Sequence, residues 1–415
     1  MKIYRETQVA FGEKTTGQSG LTFDYVESVE RTESKPRIVR IKVVGVGGAG
    51  GNAINRMIDE KLSGVEFIAI NTDLQVLERN KAPVKIQIGK NLTRGLGSGG
   101  DPEIGRKAIE ENRDIVERAL SNTDMVFITC GMGGGTGTGA SPVVAEISRN
   151  TDALTVAIVT LPFEFEGIKR MEKAEQGIYE LRQYVDTLIV IPNQKLLSIV
   201  ERKTTLESAF RMADEVLLHA TKGISDLVTL PGIINLDFAD VRTVMAQKGD
   251  ALMGSAVASG ENRAKEAAEK AITSRILEDT SILGATGALL NITGGSDLTL
   301  TDVAEASEVV RNAAGPELNL YVGAVLDPTM HDAVRVTVIA TGFHRNTYRS
   351  TRSGNTAETK ANSLVTSLEE KPVLEQFDRE LLMQVLGGSD LSLEEFSSIS
   401  KDNLAIPTFI RRQMV

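Results

Sequence analysis

The stretch CGMGGGTGTGASP, residues 130–142, places six glycines within the nine positions 131–139. The apolar run TDMVFIT (123–129) precedes it, and the helix-like SPVVAEIS (141–148) follows. Glycine loses more backbone freedom on folding than any other residue, so this concentration needs a compensating role. Between a strand and a helix that role is anion binding. Without Cβ atoms, successive N–H groups converge on one anion, and the following helix offers its positive N-terminus. Thr136 and Thr138 add hydroxyl donors. A glycine hinge without ligand is the competing reading, and a second glycine cluster argues against it.

That second cluster, GVGGAGGNA (45–53), fits G-x-G-x-x-G at Gly45, Gly47 and Gly50 and follows the β-branched run RIVRIKVVGVG (37–47). Asp73 comes after a further strand-like run, where a ribose-binding acid stands in a dinucleotide fold. Alone, this cluster reads as an NAD-dependent Rossmann oxidoreductase, or as nothing more than a tight strand-to-helix turn. Two cradles on neighbouring strand ends suit a di- or triphosphate better. Neither contains lysine, and G-x-x-x-x-G-K-[ST] occurs nowhere, so this is not a P-loop. Charge neutralisation is then expected from backbone dipoles and Mg²⁺, which prefers phosphate oxygens and water.

Around the clusters, strand-like and helix-like segments alternate. VEFIAIN (65–71), VKIQIG (84–89), LTVAIVT (154–160) and TLIVIPN (187–193) read as strands. GNAINRMIDEKL (51–62), PEIGRKAIEENRDIVERAL (102–120) and IKRMEKAEQGIYELRQYV (168–185) read as helices. The alternation predicts an α/β domain over 38–203 with a Rossmann-like parallel sheet covered by helices. Apolar positions at helical spacing predict a long central helix over 204–230, closed by Pro231 and Gly232. Residues 231–343 then read as a smaller α+β domain.

Residues 1–37 are expected to be a flexible extension, and 344–400 a disordered linker rich in Ser, Thr, Asn, Arg and Glu. An amphipathic stripe over 373–386 interrupts that linker. Hydrophobic residues make up 41% of the chain, charged residues 25%, and the net charge is -10. That balance argues against wholesale wrapping of nucleic acid. One cysteine excludes an internal disulfide framework, and with three histidines no dedicated zinc site is expected. No run approaches the roughly 18 apolar residues of a membrane span, and the N-terminus has no apolar signal core. A cytoplasmic, soluble protein is expected.

GGGTGTG (133–139) resembles the signature of the tubulin superfamily. The run from Ile41 to Phe343 resembles the FtsZ family of bacterial cell-division GTPases. NTD (71–73), TRGLGSGGDP (93–102), FEG (165–167), NLDFADV (235–241), NITGG (291–295) and VTVIATGF (336–343) carry the likeness in order. The resemblance implies a GTPase that binds GTP and GDP with Mg²⁺. Gly48, Ala49, Gly50, Gly51 and Asn52 would line the first phosphate loop, with Asn71 and Asp73 beside it. Gly135, Thr136 and Gly137 would cradle the β- and γ-phosphates. Ala49 stands where many relatives have glycine, and its methyl group is small enough to be tolerated.

Glu166 and Arg170 would reach the ribose and the phosphate flank; without the resemblance they read as a surface i,i+4 ion pair. Phe210 and Asp214 share a helix face, the ring to stack on a purine and the carboxylate to accept from guanine N1–H and N2–H₂. Core packing is the rival role for Phe210. Asn193 would assist at the base or ribose.

Asp237 and Asp240, with Asn235, stand at a helix start in NLDFAD (235–240), where capping is the ordinary role of aspartate. The resemblance instead makes them the catalytic residues that act on the GTP of the next subunit in a head-to-tail homopolymer. Localisation at a mid-cell division ring beneath the inner membrane would follow. The tail DNLAIPTFIRRQ, within 401–415, would bind membrane-linked adaptors such as FtsA. Asp402, Leu404, Ile406, Pro407, Phe409, Ile410, Arg411 and Arg412 would form that contact, so membrane attachment would be indirect. A frayed terminus and a tubulin-like polymer with a non-division role are the other readings.

Overall fold

The computed structural model describes residues 39–197, 204–230, 232–247, 249–274 and 281–343. The N-terminal extension, the linker with its 373–386 stripe and the tail peptide lie outside the described residues. Six strands, β1 (Ile41–Val46), β2 (Val65–Asn71), β3 (Val84–Gln87), β4 (Met125–Gly131), β5 (Leu154–Leu161) and β6 (Thr187–Pro192), run parallel in the order β3-β2-β1-β4-β5-β6. This is the doubly wound arrangement, whose chain reverses direction between β1 and β4; ligands bind in the crevice beyond the strand ends at that switch. Both glycine clusters fall there.

Helices α1 (Gly47–Asp59), α2 (Leu74–Arg79), α3 (Lys90–Thr93), α4 (Pro102–Glu110), α5 (Arg113–Leu120), α6 (Thr136–Arg149), α7 (Ile168–Leu181) and α8 (Asn193–Leu196) connect these strands. Near-continuous apolar strands such as β4 and β5 are buried on both faces. Ile54 and Met57 of α1 pack with Phe127 on one face, and Ile109, Val116, Ile147 and Leu181 pack with Ile128 on the other.

The 24-residue helix α9 (Leu206–Thr229) is capped by Thr205, whose hydroxyl accepts from the Ser208 N–H at 3.2 Å. Ala213, Leu217, Ala220, Ile224 and Leu227 form its buried stripe. At 1.5 Å per residue it is about 36 Å long. Beyond it lie α10 (Phe238–Met245), β7 (Gly249–Ser259), α11 (Arg263–Ile272), β8 (Gly287–Gly294), α12 (Leu300–Ala314), β9 (Asn319–Leu326) and β10 (Ala333–Thr341). These last strands are mixed, with β10 antiparallel to β7 and β8, and β8 parallel to β9. Thr187–Ile189 of β6 pair in parallel with Gly249–Ala251 of β7, so one sheet of ten strands runs through the described residues.

Some element boundaries differ from the sequence expectation. The predicted helix over 102–120 is two helices, because Asn112 leaves helical geometry and its Oδ1 accepts from the Gly89 N–H at 2.8 Å. The helices after the glycine clusters also begin earlier than expected. α1 starts at Gly47 and α6 at Thr136, so most of the first cluster forms a helical turn, while in the second only Gly137 and Gly139 do and Gly133–Gly135 remain a loop.

Candidate functional site

The two glycine-rich helix starts meet. A Cβ on Gly47, whose φ is +74°, would stand 2.9 Å from the Gly137 nitrogen and 3.4 Å from Thr136 Cβ. A Cβ on Gly137 would stand 2.7 Å from the Gly131 carbonyl oxygen. Side chains at these positions would force the helices apart. Neither start has a side-chain cap or an acidic residue in its first turn, so the free N–H groups and positive helix ends are left for an anion. Gly48 is exposed, Ala49 is half-buried, Gly50 and Gly51 are buried, and Asn52 is exposed at the outer edge of the same turn.

Three segments wall this cradle. Gly135 packs on the loop before α4, where its Cβ would meet the Asp101 nitrogen at 2.8 Å. Gly133, with φ +91°, lies against the Arg170 backbone, and a Cβ there would stand 2.6 Å from the Arg170 oxygen. Glu166 joins that flank, pairing with Arg170 at 3.0 Å while its other oxygen accepts from the Phe163 N–H at 2.9 Å. The i,i+4 ion pair therefore exists, and it sits against the glycine loop. Thr138 is buried, and its hydroxyl accepts from the Gly133 N–H at 2.9 Å, shaping the loop from within.

Asp73 caps α2 by accepting from the Val76 N–H at 3.1 Å, and Asn71 Oδ1 accepts from the Asp73 N–H at 3.2 Å. Both residues hold the turn beyond β2 in shape. Thr93, Thr72, Ser98 and Thr136 are buried polar residues in the same region.

A second group lies beyond β5 and β6. Phe163 stacks on Phe165 with centroids 5.1 Å apart and meets the Phe210 ring edge-on at 5.4 Å. Phe210 packs against buried Phe163 and is still 40% exposed, so it combines a packing contact with an open surface. Asn193, at the start of α8, is buried, and its Oδ1 has no hydrogen-bond partner among the described residues. A buried amide oxygen without a partner costs free energy unless a ligand supplies a donor. Asp214 lies one turn after Phe210. Burial pushes its carboxyl up to about 7, with Arg56 of α1 pulling downward and Glu215 upward. Arg56 itself pairs with Glu215 at 2.6 Å, so its charge is shared.

Asn235, Asp237 and Asp240 are not with these groups. Ile233 and Ile234 donate to the Ala324 carbonyl of β9, and Gly232 donates to Asn235 Oδ1 at 2.6 Å. Asp237 caps α10, its Oδ1 accepting from the Asp240 N–H at 2.8 Å. Capping is thus a role Asp237 does fill, and Asn235 shapes its own loop. The Asp240 side chain makes no hydrogen bond or ion pair among the described residues. Arg242 reaches Asp152, just before β5, and a Cβ on Gly64, just before β2, would stand 2.8 Å from Thr229 Cβ. Both contacts put this loop at the amino edge of the parallel sheet, and the glycine starts lie at its carboxyl edge.

Residues 40–201 match the tubulin/FtsZ family GTPase domain, and residues 249–344 match the FtsZ family C-terminal domain. A point mutant of FtsZ from M. jannaschii is 50% identical, with 74% of this chain and 92% of that one aligned at a TM-score of 0.71. The chain belongs to the tubulin/FtsZ family. An empty FtsZ dimer from the same organism aligns at 50% identity over 73% and 88% of the two chains, with a TM-score of 0.71. CetZ2 from Haloferax volcanii, solved as a GTPγS-bound protofilament, is 20% identical over 80% and 100% at a TM-score of 0.64 and shares the fold alone.

A tubulin/FtsZ family GTPase domain binds GTP and GDP, and the uncapped starts of α1 and α6 fit such a ligand. Membership in this family sets the GTPase reading above the NAD-dependent oxidoreductase reading of the first glycine cluster. Among the described residues no helix is long and apolar enough to cross a membrane. The sequence reading missed Ser98 and Thr72. Their hydroxyls meet residues far along the chain, and no local pattern signals such contacts.

Proposed function

We propose that this chain is a polymerising GTPase, in which one copy holds GTP and the next supplies the acids that turn it over. The observation that carries the reading is the separation of the two halves: anion-binding helix starts at one edge of the sheet, Asp240 at the other. α9, about 36 Å long, keeps them apart. Head-to-tail stacking would bring one copy's Asp240 to the neighbour's nucleotide, and such a heterologous contact propagates as a filament. The solved FtsZ dimer and CetZ2 protofilament are relatives caught in assembled states.

In this reading Phe210 stacks on the guanine and Asp214 accepts from N1–H and N2–H₂. Adenine would present a lone pair at N1 and leave the carboxylate mismatched. Asn193 Oδ1 accepts from the base or ribose. Gly48–Asn52 and Gly135–Gly137 hold the phosphates, with Glu166 and Arg170 at the flank. Mg²⁺, bound by phosphate oxygens and water, would neutralise charge that these lysine-free loops do not. The partner's Asp240 orients and deprotonates the attacking water, while Asp237 fixes the helix start and keeps its second oxygen free.

A role in the bacterial division ring, with the tail peptide docking on adaptors such as FtsA, extends the same reading. The apolar residues Leu404, Ile406, Phe409 and Ile410 would enter a groove while Arg411 and Arg412 meet acids. A tubulin-like polymer with a role outside division is the rival reading. Light scattering with GTP, GDP and a non-hydrolysable analogue tests the polymer. Scattering that rises with GTP and the analogue but not with GDP supports it, and no rise with any nucleotide refutes it.

A further inference from the structure

Three buried hydroxyls form a chain beside the phosphate cradle. Thr136 Oγ1 lies 2.7 Å from Thr72 Oγ1 and 3.0 Å from Ser98 Oγ. They come from three separate segments: the turn after β2, the glycine loop before α4, and the first residue of α6. All three residues are buried, Thr136 being the least so at 8% exposed. Neither the Thr72 nor the Ser98 hydroxyl makes another hydrogen bond among the described residues.

A hydroxyl has one proton to give and two lone pairs to receive. When Thr72 and Ser98 both donate, the lone pairs of Thr136 are filled and its one proton must go to an acceptor outside the chain. A phosphate oxygen at the start of α6 is such an acceptor and brings no proton to compete. With no anion present, the Thr136 proton turns back to one of its two neighbours.

We infer that Ser98 and Thr72 are positioning residues that commit the Thr136 hydroxyl to donate to bound phosphate. The inference rests on the GTPase reading of the site and adds to it a device for aligning one donor. Loss of either flanking hydroxyl empties a lone pair on Thr136 and gives its proton freedom to turn. The effect falls on turnover, where the donor must already be aimed as charge develops, rather than on general nucleotide affinity.

The test compares the full-length chain with Ser98→Ala, with Thr136→Val, and with the double variant. Each is assayed for GTP turnover, KM, GDP affinity and thermal midpoint. Ser98→Ala should lower kcat about 10-fold, the worth of one hydrogen bond to a charged group. KM, GDP affinity and thermal midpoint should stay within about two-fold or a few degrees. In the Thr136→Val background, Ser98→Ala should cost nothing further, because both act through one hydroxyl. An unchanged kcat in Ser98→Ala overturns the inference. So does a parallel fall in kcat, GDP affinity and thermal midpoint, which would make Ser98 a packing residue, and so does full additivity with Thr136→Val. A wild-type chain that does not hydrolyse GTP overturns the GTPase reading and this inference with it.

Discussion

Arg242 donates from Nη2 to the Asp152 carbonyl oxygen at 2.5 Å. The Phe238 ring lies near the same guanidinium, 5.8 Å from its centroid. The first contact fastens α10 to the segment ahead of β5, the second braces Arg242 within the helix, and Asp240 is carried with it. In the proposed reading, Asp240 acts on a neighbour's nucleotide.

Asp240→Ala should therefore leave GTP binding intact and lower turnover by about 10²–10⁴, the usual worth of a positioned acid–base. Asp237 should behave differently, because it caps α10. Asp237→Ala should cost about 0.5–2 kcal/mol of stability as well as activity, and Asp237→Ser should recover the stability alone. Calorimetry beside a phosphate-release assay separates the two effects. Loss of GTP binding in Asp240→Ala would give that residue a folding role instead.

If Asp214 accepts from guanine as proposed, its carboxyl, raised by burial to about 7, should make GTP binding depend on pH. Guanine N1–H and N2–H₂ require the ionised form, so affinity should be level above pH 7 and fall as pH drops below it, by at most about 10-fold per unit. Without ligand the sign reverses. The folded chain binds a proton that the unfolded chain, with an aspartate near 3.9, releases at lower pH. The contribution of Asp214 to stability should thus decline as pH rises from about 4 to 7. Asp226, raised by burial to about 6, adds to that decline. Asp214→Asn should weaken GTP binding and flatten its pH profile; a mutant profile as steep as the wild type would assign the titration elsewhere.

Gly47→Ala places a methyl group 2.9 Å from the Gly137 nitrogen at a residue with φ +74°. The left-handed backbone alone costs about 1–2 kcal/mol for an L side chain, and the clash parts the two helix starts. GTP affinity should fall more than about 10-fold and the thermal midpoint should drop. Gly48→Ala is the control, since a Cβ there meets nothing within 4 Å and should leave the midpoint unchanged.

Deleting residues 402–415 should spare GTP turnover and polymerisation and abolish binding to a membrane-linked adaptor. Pull-down with FtsA reads the second effect. Unchanged capture would refute the tail assignment.

Much of this architecture is legible in the sequence because its signals are local. β-branched runs such as those of β1 and β5 read as buried strands, and glycine clusters between a strand and a helix mark anion sites. Capping by Asp237 was equally open to view, since aspartate at a helix start has one ordinary role. The break between α4 and α5 was hidden, because it depends on Asn112 reaching Gly89 across the fold. The depth of α1 and α6 into their glycine clusters was hidden as well. Glycine's poor helix propensity argues against it, and only the close approach of Gly47 to Gly137 explains it. Thr138 has a hydroxyl that suggests a ligand donor, and only the structure shows that its oxygen also accepts from the Gly133 N–H.

The dependence of specific GTPase activity on protein concentration tests the division of labour between copies most directly. Activity per molecule should rise with concentration and level off once filaments form, and Asp240→Ala copies mixed with wild type should depress it. A specific activity that does not change on dilution, in a chain confirmed to be monomeric, would contradict the account.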